Sequence, residues 1–180
     1  MRINREDCTG LVIDIQERLY PHMDQAEELL HRTGILLQGL QILEVPVMLT
    51  EQYPEGLGDT VQEIKQALAE FHPIRKVAFS CCDEPAYLMA LERTTRWKVI
   101  ICGIETHVCV LQTVIDLAAN GFTPVVVADC TASRKQGDKA VALERMRQEG
   151  AILTTMESIL FELARVSGTD EFRAISRLVK

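Results

Sequence analysis

The chain has 180 residues, 47% apolar and 25% charged, with a net charge of -7; this excludes a disordered polymer and fits one domain, 1–180, able to bury a full core. The negative balance argues against nucleic acid or an anionic membrane as partner, because both demand a basic face. No apolar run approaches the ~20 residues of a membrane span, which leaves a small-molecule substrate or another protein.

The opening residues, MRINREDC, lack the apolar core of a signal peptide, so a cytoplasmic location is expected. A first strand is predicted at 11–15, within LVIDIQ, followed by a helix at 26–43 and a second strand at 45–49. A helix at 61–71 leads to a third short apolar run, 77–79, and a further helix at 85–93. The fourth strand, 99–102, ends near a glycine and passes into a helix over 108–120. A fifth strand at 125–128, a helix at 139–149 and a sixth strand at 151–153 follow. Two closing helices, 158–166 and 170–178, complete the chain. Gly121 and Gly150 stand where a left-handed residue ends a helix cheaply, and Pro46 and Pro124 stand at strand starts, where a missing donor does least harm. Strand and helix alternate throughout. The pattern predicts an α/β domain of three layers, α/β/α, with a doubly wound parallel sheet of about six strands.

Six cysteines are present but no Cys-x-x-Cys, so reduced thiols are expected rather than disulfides or a zinc ribbon. His22, His31 and His72 show no metal-ligand spacing, and neither Gly-x-Gly-x-x-Gly nor a Walker loop occurs. No metal and no cofactor are therefore expected.

In an open parallel sheet, ligands bind beyond the carboxyl ends of the strands. Three reactive side chains fall near that rim: Asp14, Lys76 and Cys109. Asp14 is costly to bury unpaired, yet it could equally cap the following loop. Lys76, beside Arg75, could be a solvated entry to the third strand. Cys109 could be a packed hydrophobe, but in the first turn of a helix the terminal amides favour its thiolate. If Thr106 caps that helix, Cys109 shares a polar face with Thr113, Asp116 and Asn120, away from the core stripe of Leu111, Val114, Ile115 and Ala118. His107 lies two residues from Cys109 and so faces another side, which disfavours it as the base.

The segments LVIDIQERLYP, TEQYPEGLG, RKVAFSCC and CGIETHVCVLQT, in that order, resemble the isochorismatase-like cysteine hydrolases, a superfamily that includes nicotinamidases and other amidase-type enzymes. The resemblance implies a Rossmann-like fold and an Asp-Lys-Cys triad at Asp14, Lys76 and Cys109. It implies a non-proline cis peptide from Ile104 to Glu105, with amides near Thr106 serving as oxyanion donors, and commonly a homo-oligomer. By position, Gln16, Tyr53, Phe79 and His107 are expected to line the substrate pocket. Nicotinamidases bind a metal through an Asp-x-His pair after the second strand, where this chain has Glu51 and Gln52 and no histidine. The function implied is cysteine-dependent hydrolysis of a small amide or related acyl compound through a thioester. A non-catalytic binder or scaffold of the same fold and a thiol-based redox sensor are the competing readings.

Overall fold

The computed structural model describes residues 2–180. In chain order the elements are β1 (Cys8–Ile13), α1 (Ala26–Ile42), β2 (Val47–Gln52), α2 (Pro54–Leu57), α3 (Gln62–Ala67), β3 (Ile74–Lys76), α4 (Pro85–Arg93), β4 (Lys98–Ile104), α5 (Leu111–Ala119), β5 (Thr123–Ala132), α6 (Gln136–Gln148), β6 (Ile152–Thr154), α7 (Met156–Ala164) and α8 (Asp170–Leu178). A π-helical turn, Thr106–Val110, joins β4 to α5. The strands form one sheet in the order β3-β2-β1-β4-β5-β6, and every pairing is parallel. The order reverses between β1 and β4, and at such a switch point a crevice opens beyond the strand ends. Among the described residues, no helix is long and apolar enough to cross a membrane.

Both faces of the sheet are covered, so its strands read as continuous apolar runs rather than alternating ones. Val12, Ile100, Cys102, Val125 and Val127 pack with Leu36 and Leu40 of α1 and Ile159 and Leu160 of α7. Leu11, Ile13, Val99, Ile101 and Val126 pack on the opposite face with Leu91 of α4, Val114 and Leu117 of α5 and Met146 of α6.

Two glycines set close approaches that a side chain would prevent. A Cβ at Gly39 would meet Leu160 methyl carbons at 2.5 and 2.7 Å, so the glycine lets α1 and α7 pack. At Gly103, with φ 148, a Cβ would overlap the Ile13 carbonyl oxygen and lie 2.7 Å from Ile13 Cβ. That glycine draws β4 against β1 and brings the ends of the two central strands together at the switch point.

One predicted strand is displaced. The apolar run 77–79 is a loop, and β3 ends at Lys76, just before it. Its carbonyls face inward: Val77 O accepts from Gln52 Nε2 at 2.6 Å, while Ala78 O and Phe79 O accept from Lys76 Nζ at 3.3 and 3.1 Å. Val77 and Phe79 are left 78% and 54% exposed. Lys76 therefore stands at the carboxyl end of its strand, on the same rim as Asp14.

Candidate active site

Three strands terminate on this rim in the same unusual way. Asp14, Tyr53 and Glu105 directly follow β1, β2 and β4, and each takes left-handed backbone angles, with φ of 55, 36 and 54. Non-glycine residues rarely adopt this region, at a cost of about 1 to 3 kcal/mol each, and such residues cluster at functional sites.

Asp14 and Lys76 form a buried ion pair, 2.6 Å from Oδ2 to Nζ, with the residues 0% and 2% exposed. Thr50 Oγ1 donates to Asp14 Oδ1 at 2.8 Å. Besides Asp14, the Lys76 ammonium meets Gln52 Oε1 at 2.7 Å and the carbonyls of Phe79 and Ala78. An ammonium has three protons to donate, so four acceptors saturate it. Burial opposes the charge on Lys76, yet the negative groups around it, Asp14 foremost and then Cys109 and Cys81, hold its pKa above the ordinary 10.5. The bland readings of Asp14 as a loop cap and Lys76 as a solvated strand entry are thereby replaced by one buried pair.

The pair should behave as a unit. Lys76→Met leaves a buried carboxylate without its cation and is expected to cost about 3 to 5 kcal/mol. The double variant Lys76→Met/Asp14→Asn should recover most of that loss. Urea denaturation at neutral pH measures both, and equal instability of single and double variants would assign the effect to packing instead of charge.

Cys109 sits in the π-helical turn, 4% exposed and packed in the core cluster of α4, α5 and α6. Burial first, then the negative charge of Asp14, push its thiol well above the ordinary 9.0, against the pull of Lys76. Burial and Asp14 thus oppose the thiolate that the helix start favours. A helix terminus supplies about 0.3 to 1 kcal/mol, whereas burial shifts ionisation by up to several units. The structure presents a buried thiol beside the Asp14–Lys76 pair. Thr113 ties this turn to the loop after β3: its Oγ1 donates to Cys109 O at 2.7 Å and accepts from Cys81 N at 2.9 Å. Cys81 lies in the same centre, its Sγ 3.8 Å from Thr50 Oγ1, with burial and Asp14 pushing its thiol to about 11. From sequence Cys81 is a candidate only as a redox-sensing thiol, with Cys82 and Cys109, because a cysteine in SCC carries no spacing signal for this centre.

The link from Ile104 to Glu105 departs from expectation, since there is no cis peptide among the described residues. The chain turns instead through the left-handed backbone of Glu105, whose carboxylate is held by Arg134 Nε at 2.6 Å. Thr106 does not cap the turn. Glu105 occupies the cap position without a side-chain cap bond, and the buried Thr106 Oγ1 has no partner among the described residues.

The four residues expected to line a pocket differ in their settings. Gln16 is buried and fully engaged: its Oε1 accepts from Gln52 N at 2.7 Å, and its Nε2 donates to Gln52 O at 3.0 Å and Gly58 O at 2.6 Å. It acts as an added strand residue at the end of β2. Tyr53 and Phe79 are exposed on the rim. His107 turns toward β5, with Nδ1 3.0 Å from Ser133 Oγ and 3.4 Å from Glu105 Oε2.

The residues at the nicotinamidase metal position do not fit a cation. Glu51 Oε1 accepts from Thr60 N and Oγ1, both at 2.8 Å, and the Gln52 carboxamide faces the Lys76 ammonium. Among the described residues no group of three His, Cys, Asp or Glu side chains converges as metal ligands. A cavity of about 120 Å³ beside the end of β5, walled by Asp24, Arg32, Asp129, Ser133 and Lys139, includes none of Asp14, Lys76 and Cys109.

Residues 9–158 match the family model of the isochorismatase domain. The chain is 38% identical to isochorismatase domain-containing protein 2A of Mus musculus, over 99% of this chain and 85% of that protein. Among solved structures it resembles MAR1 ribonuclease from Caenorhabditis elegans, with 38% identity and a TM-score of 0.93, covering 99% of this chain and 92% of the other. It also resembles YcaC from Pseudomonas aeruginosa, described with hexane-2,5-diol and covalent acrylamide, with 25% identity and a TM-score of 0.91 over 97% and 89% of the two chains.

Proposed function

The chain belongs to the isochorismatase-like cysteine hydrolase superfamily, and from that membership we propose that it hydrolyses a small amide or related acyl compound, with Cys109 as nucleophile, Asp14 as base and Lys76 as the fixed counter-charge. The observation that carries this reading is the Asp14–Lys76 ion pair set beside the buried Cys109 thiol, on which both charges act.

In the proposed reaction the Cys109 thiol passes its proton to Asp14 as sulfur bonds to the acyl carbon. The substrate oxygen takes the negative charge and is held by amides of Thr106 or Cys109 in the opening turn. Collapse breaks the C–N bond, and Asp14 returns the proton to the leaving amine. Asp14 then takes a proton from water as the hydroxyl adds to the thioester. The C–S bond breaks, Asp14 gives that proton back to sulfur, and an acid leaves. Lys76 donates its hydrogen bonds to Asp14, Gln52 and two loop carbonyls, so its part is to keep Asp14 charged and oriented. It supplies no proton.

The near-complete burial of the triad favours a small substrate. The ribonuclease named among the relatives raises RNA as an alternative, but a net charge of -7 suits a polyanion poorly. The covalent acrylamide in the YcaC relative lends support to a reactive nucleophile in this fold.

Iodoacetamide followed by peptide mapping tests the assignment. Cys109 is expected to be alkylated first in the native protein, and Asp14→Asn should slow that step strongly while retaining the left-handed turn, which Asn tolerates. Faster modification of Cys8, Cys81 or Cys82, with Cys109 untouched, would show the nucleophile to be misassigned.

A further inference from the structure

We propose that Gln52 is a positioning residue that keeps the Asp14–Lys76 pair at one anion and one cation, and so keeps Asp14 available as a base. The proposal rests on the assignment of Asp14 as base for Cys109.

Gln52 is the last residue of β2 and pairs in register with Lys76 across the β2–β3 edge. Its own backbone needs nothing from its side chain, because the Gln16 carboxamide satisfies both its N–H and its C=O. The side chain is thereby free for another task. Its Nε2 donates to Val77 O at 2.6 Å, which fixes the orientation of the amide, and its Oε1 must then face Lys76 Nζ, 2.7 Å away. The other ionisable groups facing this centre are Asp14 from the end of β1, Cys81 from the turn after β3 and Cys109 from the π-helical turn. The Glu51 side chain is spent on Thr60 instead.

A carboxamide accepts a hydrogen bond from the ammonium without competing for its charge. A glutamate at position 52 could accept the same bond, but it would place two carboxylates on one buried cation. Like charges so confined retain a proton between them to higher pH, and Asp14 would then be withheld from Cys109 until that proton leaves. Methionine would remove the acceptor while adding no charge.

The test is the pH dependence of Cys109 alkylation by iodoacetamide in wild type, Gln52→Glu and Gln52→Met, with thermal unfolding of each as a control. In Gln52→Glu the acid limb is expected to move up by about one pH unit or more. In Gln52→Met the reaction should slow several-fold at neutral pH with the limb in place. A merely structural role predicts lower stability and slower reaction in both variants with no movement of the limb, and that result overturns the proposal. Should Gln52→Glu not fold, unchanged alkylation in Gln52→Met overturns it equally. Wild-type labelling that bypasses Cys109 sinks the triad assignment itself, a distinct failure visible before either variant is made.

Discussion

Cys109→Ala is expected to abolish hydrolysis of any amide or ureide that the wild type turns over, a loss on the order of 10⁶ in kcat if the sulfur is the nucleophile. The size follows from the mechanism. Without sulfur no thioester forms, and Asp14 has no thiol proton to accept. The fold should survive, since the substitution removes one atom from a packed site and costs about 1 kcal/mol. Release of product from the wild type, measured against Cys109→Ala and Cys81→Ala, decides between the two thiols at this centre. Turnover that persists in Cys109→Ala and disappears in Cys81→Ala would transfer the role to Cys81. Binding without product in every variant would favour a non-catalytic member of the fold.

The second large effect is on stability. All six thiols are held above the ordinary 9.0, with burial as the leading cause: Cys81 to about 11, Cys8, Cys82 and Cys102 to about 12, and Cys109 and Cys130 well above the ordinary value. In the unfolded chain they lose protons near 9, whereas the native state keeps them. The folded state therefore binds more protons over this interval. Stability is full below 9 and falls as pH rises toward the folded values. Each thiol contributes a slope of up to about 1.4 kcal/mol per pH unit. Six together approach about 8 kcal/mol per unit, against a typical total stability of about 5 to 15 kcal/mol. Lys76 acts in the same direction at higher pH: its stabilisation is intact below 10.5 and is lost as pH passes the raised folded value. Urea midpoints under reducing conditions should drop steeply above pH 9 and less steeply in Cys102→Ala. A flat midpoint through pH 10.5 would refute the argument.

Much of the architecture was legible because it rests on periodicity. Apolar runs and helical spacing yield the α/β/α order directly, and the helix at Asp170–Leu178 falls where predicted. The displaced third strand shows where that signal fails. Val77 and Phe79 look like a strand, but their carbonyls are taken by Gln52 and Lys76, and no sequence pattern reports which carbonyl a distant lysine will claim. Asp14, Lys76 and Cys109 stand out by their places near the strand ends and take their expected roles from motif resemblance, whereas the bonds that place them come from residues with no signature. Gln16 is expected near the pocket by position, and no sequence pattern reports that its carboxamide also clamps the backbone of Gln52. The left-handed angles at Asp14, Tyr53 and Glu105 were equally invisible, since glycine is the residue that announces such a turn. The ionisation of Cys109 depends on two opposed influences, of which only one is visible in the sequence. A helix start is readable from sequence, but burial among Leu111, Val114 and their neighbours outweighs it, and burial emerges only with the tertiary structure.

Both margins of the sheet are strands of three residues, β3 and β6. Long unpaired margins invite other chains to add a strand, and these offer almost no ladder to extend. Beyond β3 the chain turns its next three carbonyls inward, so the margin closes there as well. Recruitment of a peptide by β-augmentation and runaway edge-to-edge polymerisation are both disfavoured. Assembly of copies of this chain is thereby expected to use helices and rim loops, whose side-chain patterns are specific to a partner, instead of the backbone, which is common to every protein.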